Sequence, residues 1–66
     1  MEKWIELAYI DGTVSVHDLV EEAILQYKEN DNEVQEIWCI TMDKDGETTE
    51  EEISFSTLET WANETV

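Results

Sequence analysis

Hydrophobic and polar residues alternate along residues 3–10, which read Lys-Trp-Ile-Glu-Leu-Ala-Tyr-Ile. Ile5, Leu7 and Tyr9 fall on one side of an extended chain, so the spacing predicts a strand. Asp11-Gly12 then supplies a turn. The period next lengthens from two to that of a helix: Val16, Leu19, Val20, Ala23, Ile24 and Tyr27 form one apolar stripe. The helix start is read at Ser15, with Asp18 in the acidic position of a capping box and Val14 and Leu19 as a hydrophobic staple. Asp18, Glu21 and Glu22 then lie where the helix dipole favours negative charge. Asn30-Asp31-Asn32 ends the helix.

Residues 34–42, Val-Gln-Glu-Ile-Trp-Cys-Ile-Thr-Met, predict a second strand. Asp43-Lys44-Asp45-Gly46 reads as a hairpin turn in which Gly46 takes a positive φ. A third strand follows over roughly residues 50–57, with Ile53 and Phe55 pointing inward. Ser56 and Glu59 repeat the capping spacing, which allows a two-turn helix over 57–64 with Leu58, Trp61 and Ala62 on its apolar side. The result is a single acidic α+β domain over residues 1–66. Its order is β-α-β-β with room for a short C-terminal helix, its sheet is small and three-stranded, and one main helix packs on one sheet face. If the first two strands ran parallel, their crossover would be right-handed. The preferred arrangement instead sets the first strand antiparallel beside the third, which places the third in the middle.

Alternation also makes this sheet apolar on both sides. With Ile5, Leu7, Tyr9, Ile37 and Cys39 turned toward the helix, Trp4, Ala8, Ile10, Trp38, Ile40 and Met42 face away, and Glu52 and Ser54 join them. Two arrangements can cover that outer face. The C-terminal segment can fold across it, with Leu58 and Trp61 as a lid, or a partner can dock there, since apolar patches rimmed by polar groups mark interaction sites. Trp and Met are among the residues enriched at such contacts. The partner can be another protein or a second copy of the chain, so a homodimer through this face is compatible with the pattern.

Composition changes the picture most through charge. Eighteen of the 66 residues are Asp or Glu, against three Lys and no Arg, for a formal net charge of −15. High charge can signify disorder, but 41% of the residues are hydrophobic and regularly spaced, which favours a folded chain. A domain this small buries only about 60% of the surface its unfolded chain exposes, so its stability margin is thin. Salt adaptation is a bland source of such charge. The reading favoured here is that the charge is presented to a basic partner, because self-repulsion destabilises a compact fold. Anionic membranes and bare nucleic acid would be repelled, so no membrane and no direct nucleic-acid contact is expected. No apolar stretch approaches the roughly 20 residues that cross a bilayer, and because no basic region and long apolar run follow from Met1-Glu2-Lys3-Trp4, no signal peptide is expected. The lone Cys39 cannot form an internal disulfide, which fits a reducing, cytoplasmic setting.

Candidate chemistry is sparse. Asp43, Asp45, Gly46 and Glu52 fall at the third, fifth, sixth and twelfth places of an EF-hand-like loop, but Thr41 stands at the first and strands flank it. His17 has no companion at metal-ligand spacing and reads as exposed, and Cys39 reads as core filler rather than nucleophile. No catalytic residues, metal or cofactor are therefore expected, and the chain is not read as an enzyme.

The function expected is that of a small inhibitor. It would mimic nucleic-acid phosphates and competitively block the basic groove of a DNA- or RNA-binding protein. Glu50 and Glu52 on one face of a strand would stand about 6.8 Å apart, and Asp18 and Glu22 about 6 Å apart on a helix, spacings that a row of phosphates also offers. The candidate negative surface comprises Asp18, Glu21, Glu22 and Glu29 from the helix, with Asp43, Asp45, Glu47, Glu50, Glu51 and Glu52 from the hairpin. Glu50-Glu51-Glu52 also reads more plainly as protection of a strand edge. Trp4, Trp38 and Ile40 are the apolar contact candidates. In charge and size the chain is similar to phage-encoded inhibitors, and a phage origin is the corresponding expectation. The alternative is an acidic interaction module, such as an immunity protein, an antitoxin or a small subunit, that holds a basic partner mainly through the apolar sheet face.

Overall fold

Gly12 turns the chain back at once. In the computed structural model, which describes residues 2–64, Gly12 adopts φ 91°. Its N–H donates to the Tyr9 carbonyl at 3.0 Å, and the Tyr9 N–H donates to the Thr13 carbonyl at 2.9 Å. The Asp11 carboxylate accepts from the Thr13 hydroxyl at 2.6 Å and the Thr13 N–H at 3.0 Å. Those two donors, the hydroxyl foremost, hold the Asp11 carboxyl below its usual range. Strand β1, Glu2–Tyr9, is thereby joined to strand β2, Val14–His17, in an antiparallel hairpin.

This hairpin replaces the predicted helix start. Thr-Val-Ser-Val-His alternates at period two, and β-branched Val14 and Val16 suit an extended backbone. The Ser15 hydroxyl is engaged sideways, 2.7 Å from the Tyr9 hydroxyl and 2.9 Å from His17 Nε2, so it caps nothing. The capping box at Ser15 and Asp18 and the staple of Val14 on Leu19 are both corrected. Helix α1 runs Val20–Glu29 and begins after an extended Leu19 with no side-chain cap. It ends at Asn30, as expected, where the Asn30 side-chain amide donates to the Gln26 carbonyl.

Four antiparallel strands form the sheet, in the order β2-β1-β3-β4, with β3 at Val34–Met42 and β4 at Thr48–Ile53. The α+β class holds. The expected three-stranded β-α-β-β arrangement gains a strand, and the segment expected in the middle lies at an edge. The reason is visible in burial. β3 is buried on both of its sides, at Ile37 and Cys39 on one and Ile40 on the other, whereas β4 exposes every residue but Ile53. A strand apolar on both faces belongs in the centre, and one rich in Glu belongs at an edge. β1 pairs antiparallel with β3, so no parallel crossover arises. A register shift next to Tyr9 sets Val34 rather than Gln35 opposite it. The bulge turns Val34 inward, against the core.

The second hairpin follows its turn chemistry. Gly46 takes φ 86°, and the Asp43 carboxylate accepts the N–H groups of Asp45 at 2.9 Å and Glu47 at 3.0 Å. Helix α2, Phe55–Glu64, starts two residues before the expected position. Ser54, not Ser56, is the cap: its hydroxyl accepts the Thr57 N–H and its carbonyl the Leu58 N–H, both at 3.2 Å. Phe55 therefore opens the helix instead of ending the strand. Its ring stacks on Tyr27 of α1, centroids 4.2 Å apart at 13°. Substituting Ser54 by Ala removes this cap and is expected to destabilise the domain by about 1 kcal/mol. A urea titration reads this as a lower midpoint at unchanged slope.

Both helices lie on the same side of the sheet. Ile5, Leu7, Ala23, Ile37, Cys39, Ile53 and Leu58 form one buried cluster, with Tyr9, Tyr27, Phe55 and Trp61 packed against it. Leu58 is fully buried there. The C-terminal helix is thus no lid over the outer face; it shares the inner face with α1.

Candidate functional site

The side of the sheet away from the helices is open, and the strand register lays out its residues as a grid. Across the middle row, Glu6 of β1 stands between Val16 of β2 and Trp38 of β3, and Trp38 stands between Glu6 and Glu52 of β4. In the next row Ile40 is flanked by Trp4 and Glu50. Beyond them, Glu2 pairs with Met42 at one end and Ala8 with Glu36 at the other. Ile40 is only 3% exposed, yet it is absent from the helix-side core. Its own face seals it. Glu6, Ala8, Val14, Trp38, Ile40 and Glu50 line a shallow depression of about 180 Å³ there, with no helix residue among them.

Electrostatically this face is uniform. Its alternate positions carry Glu2, Glu6, Glu36, Glu50 and Glu52, and none of the three lysines. Lys3 has the opposite parity and lies over the Trp61 ring on the helix side, 4.2 Å from its centroid. Lys28 is on α1 and Lys44 in the second turn. Glu6 and Glu36 are half-buried, the other three exposed. The Trp4 indole N–H donates to Glu6 Oε2 at 2.9 Å, which fixes the ring beside the carboxylate. Glu6 and Glu52 are two strands apart, roughly 9.6 Å at ordinary strand spacing, with the Trp38 indole between them. The arrangement can grip a cationic, partly apolar surface: carboxylates for its charges, indoles for its apolar area.

Of the predicted site residues, Trp4, Trp38, Ile40, Glu50 and Glu52 come together on this face. Glu51 points to the helix side of β4 and lines another depression with Lys3, Cys39 and Trp61, which Glu50 borders as well. Asp43, Asp45 and Glu47 sit in the second turn, where the Asp43 carboxylate is committed to its own loop. Asp18 precedes α1, and Glu21, Glu22 and Glu29 lie on it, all exposed and in the other layer. Ile10 leaves the strand for the first turn and is 67% exposed, off the outer face where alternation had placed it. Sequence reasoning missed Glu2, Glu6 and Glu36. Glu2 and Glu6 share the parity of Trp4, and that was the available signal.

His17, expected exposed, is half-buried at the end of β2 and bonded to Ser15. Among the described residues no group of three or more His, Cys, Asp or Glu side chains is placed to hold a metal ion, and no helix is long and apolar enough to cross a membrane. No protein-family model, curated protein or solved structure matches the chain.

Proposed function

We propose that the chain is a stoichiometric inhibitor that sets its open sheet face into the basic groove of a nucleic-acid-binding protein and keeps nucleic acid out. The observation that carries this reading is a sheet face left bare by both helices, bearing five carboxylates and no lysine around two indoles. Arg and Lys side chains that bind backbone phosphates also bind well-placed carboxylates, because both are anionic acceptors. The charge of −15 would steer encounter at low salt. Trp38 and Ile40, near the middle of the face, would supply the share of affinity that salt does not screen. The cytoplasm and a phage origin belong to the same proposal, through the kind of target and the similarity in charge and size.

A second reading, an interaction module for a basic partner that does not bind nucleic acid, is favoured by the central position of Trp38. One experiment separates the two. The immobilised chain is used to capture partners from a host lysate at low salt and eluted with a salt gradient. The captured protein is then titrated with labelled duplex DNA or RNA. Under the inhibitor reading the chain displaces nucleic acid in one-to-one competition, and Trp38→Ala only weakens it. A captured protein that binds nucleic acid and the chain together, or none at all, refutes mimicry. In the second case, loss of capture by Trp38→Ala would establish the module.

A further inference from the structure

The two edges of the sheet are defended differently. β4 presents Glu50, Glu51 and Glu52, all exposed, and charge along an edge turns away an additional strand. β2 has no such guard. Between Asp11 and Asp18 the chain reads Gly-Thr-Val-Ser-Val-His, with no carboxylate. Val14 and Val16 are 54% and 59% exposed. The other large exposed hydrophobics among the described residues gather round the same edge. Leu19 follows β2 after Asp18, Ile10 begins the turn that leads into it, and Leu25 of α1 shares a depression with His17.

An uncovered strand edge carries free backbone N–H and C=O groups, so the complement it fits is another strand. We propose that β2 pairs antiparallel with β2 of a second copy about a two-fold axis, joining two four-stranded sheets into one of eight. Charge selects this occupant. A cationic protein would be drawn to the open face and to β4, where the carboxylates are. A second copy brings an edge as uncharged and as apolar as the first. Centred on Ser15, the pairing sets Val14 opposite Val16 of the partner subunit, a β-branched pair on the outer face. The two β4 strands then lie about 34 Å apart, seven strand spacings, well beyond the Debye length of about 8 Å at physiological salt. Unlike a dimer made through the sheet face, this one leaves that face open on both copies, so it does not depend on the inhibitor reading.

Sedimentation equilibrium of the whole chain, between ~10 μM and ~1 mM, tests the pairing in about 0.1 M and about 1 M sodium chloride. The expected dimer tightens about tenfold in the higher salt, because two anionic copies repel one another. That sign is opposite to the salt response of a contact with a basic protein. Val16→Lys is expected to weaken the dimer by about tenfold or more, although it lowers the charge each copy carries. Glu47→Gln, in the turn before β4 at the opposite edge of the sheet, lowers the charge away from β2 and should leave the dimer intact or tighter. Amide exchange in β2 should slow as concentration rises. The proposal is overturned by a chain that stays monomeric at ~1 mM in the higher salt, or by a dimer indifferent to Val16→Lys. It is equally overturned by a dimer that Trp38→Ala dissolves while Val16→Lys does not, since the contact would then be on the open face.

Discussion

Replacing Leu7 by Ala is expected to unfold the domain at low salt. Leu7 is fully buried at the centre of β1, one of the two strands hydrogen-bonded on both sides. Its side chain meets the cluster that joins the sheet to both helices. A buried Leu→Ala change removes about 3–5 kcal/mol, partly as lost transfer energy and partly as the cavity left behind. A single core of this size rarely supplies more than about 3–5 kcal/mol in total. The two figures coincide, so the variant has no margin. Self-repulsion narrows it further, because a net charge of −15 is brought closer together on folding. The near-ultraviolet dichroism of Trp4, Trp38 and Trp61 should be lost at low salt and partly return in about 1 M sodium chloride as screening lifts the repulsion. A variant that keeps a cooperative urea transition near the wild-type midpoint would show that the core is not organised around Leu7.

What could be read from the chain depended on how many residues carried each signal. The long strands repeat their alternation over eight and nine residues, and the glycine turns rest on a backbone conformation that side chains disfavour. Those features were legible. β2 was not, because four residues hold only two apolar positions, and Val16 also fits the start of the helical stripe that follows, with Val14 as the staple before it. Ser15 and Asp18 have the spacing of a cap, but spacing alone does not say whether the hydroxyl is free. Here pairing with β1 and the bond to Tyr9 take it. The second cap was misplaced by two residues for a similar reason. Ser54 and Ser56 are both plausible caps, and the decision comes from Phe55, whose ring must reach Tyr27.

The site was half legible. Alternation put Trp4, Trp38 and Ile40 on the outer face, and the register confirms that they are neighbours there. It could not say whether the C-terminal segment would cover them, because a short amphipathic helix fits either face. The fold decides this through Leu58, which is fully buried beside α1. The acids were harder to assign. Counting carboxylates treats helix, turn and strand alike, whereas only the strand parity says which of them share a surface. Glu51 goes to the other side from Glu50 and Glu52 by that rule alone.

This division of the acids supports the last expectation. Under the proposed function, changing Glu2, Glu50 and Glu52 together to Lys should abolish binding of a basic target to the open face. The same number of reversals at Glu21, Glu22 and Glu29 should not. All six side chains are exposed, and none carries a hydrogen bond that holds the fold, so both triple variants should stay folded. Each reversal shifts the net charge by two, so both variants move from −15 to −9 and have the same long-range attraction. They differ only in where the lysines stand. On the open face each lost charge-assisted contact is worth about 1.5 kcal/mol or more, so three reversals weaken binding by about a thousandfold at least. On α1 the effect should be a slower association at low salt that fades as salt approaches physiological strength. Titration calorimetry and stopped-flow association on both variants separate the cases. Equal losses from the two triples would mean that the target reads net charge and not a surface, and the open sheet face would then have no special part in recognition.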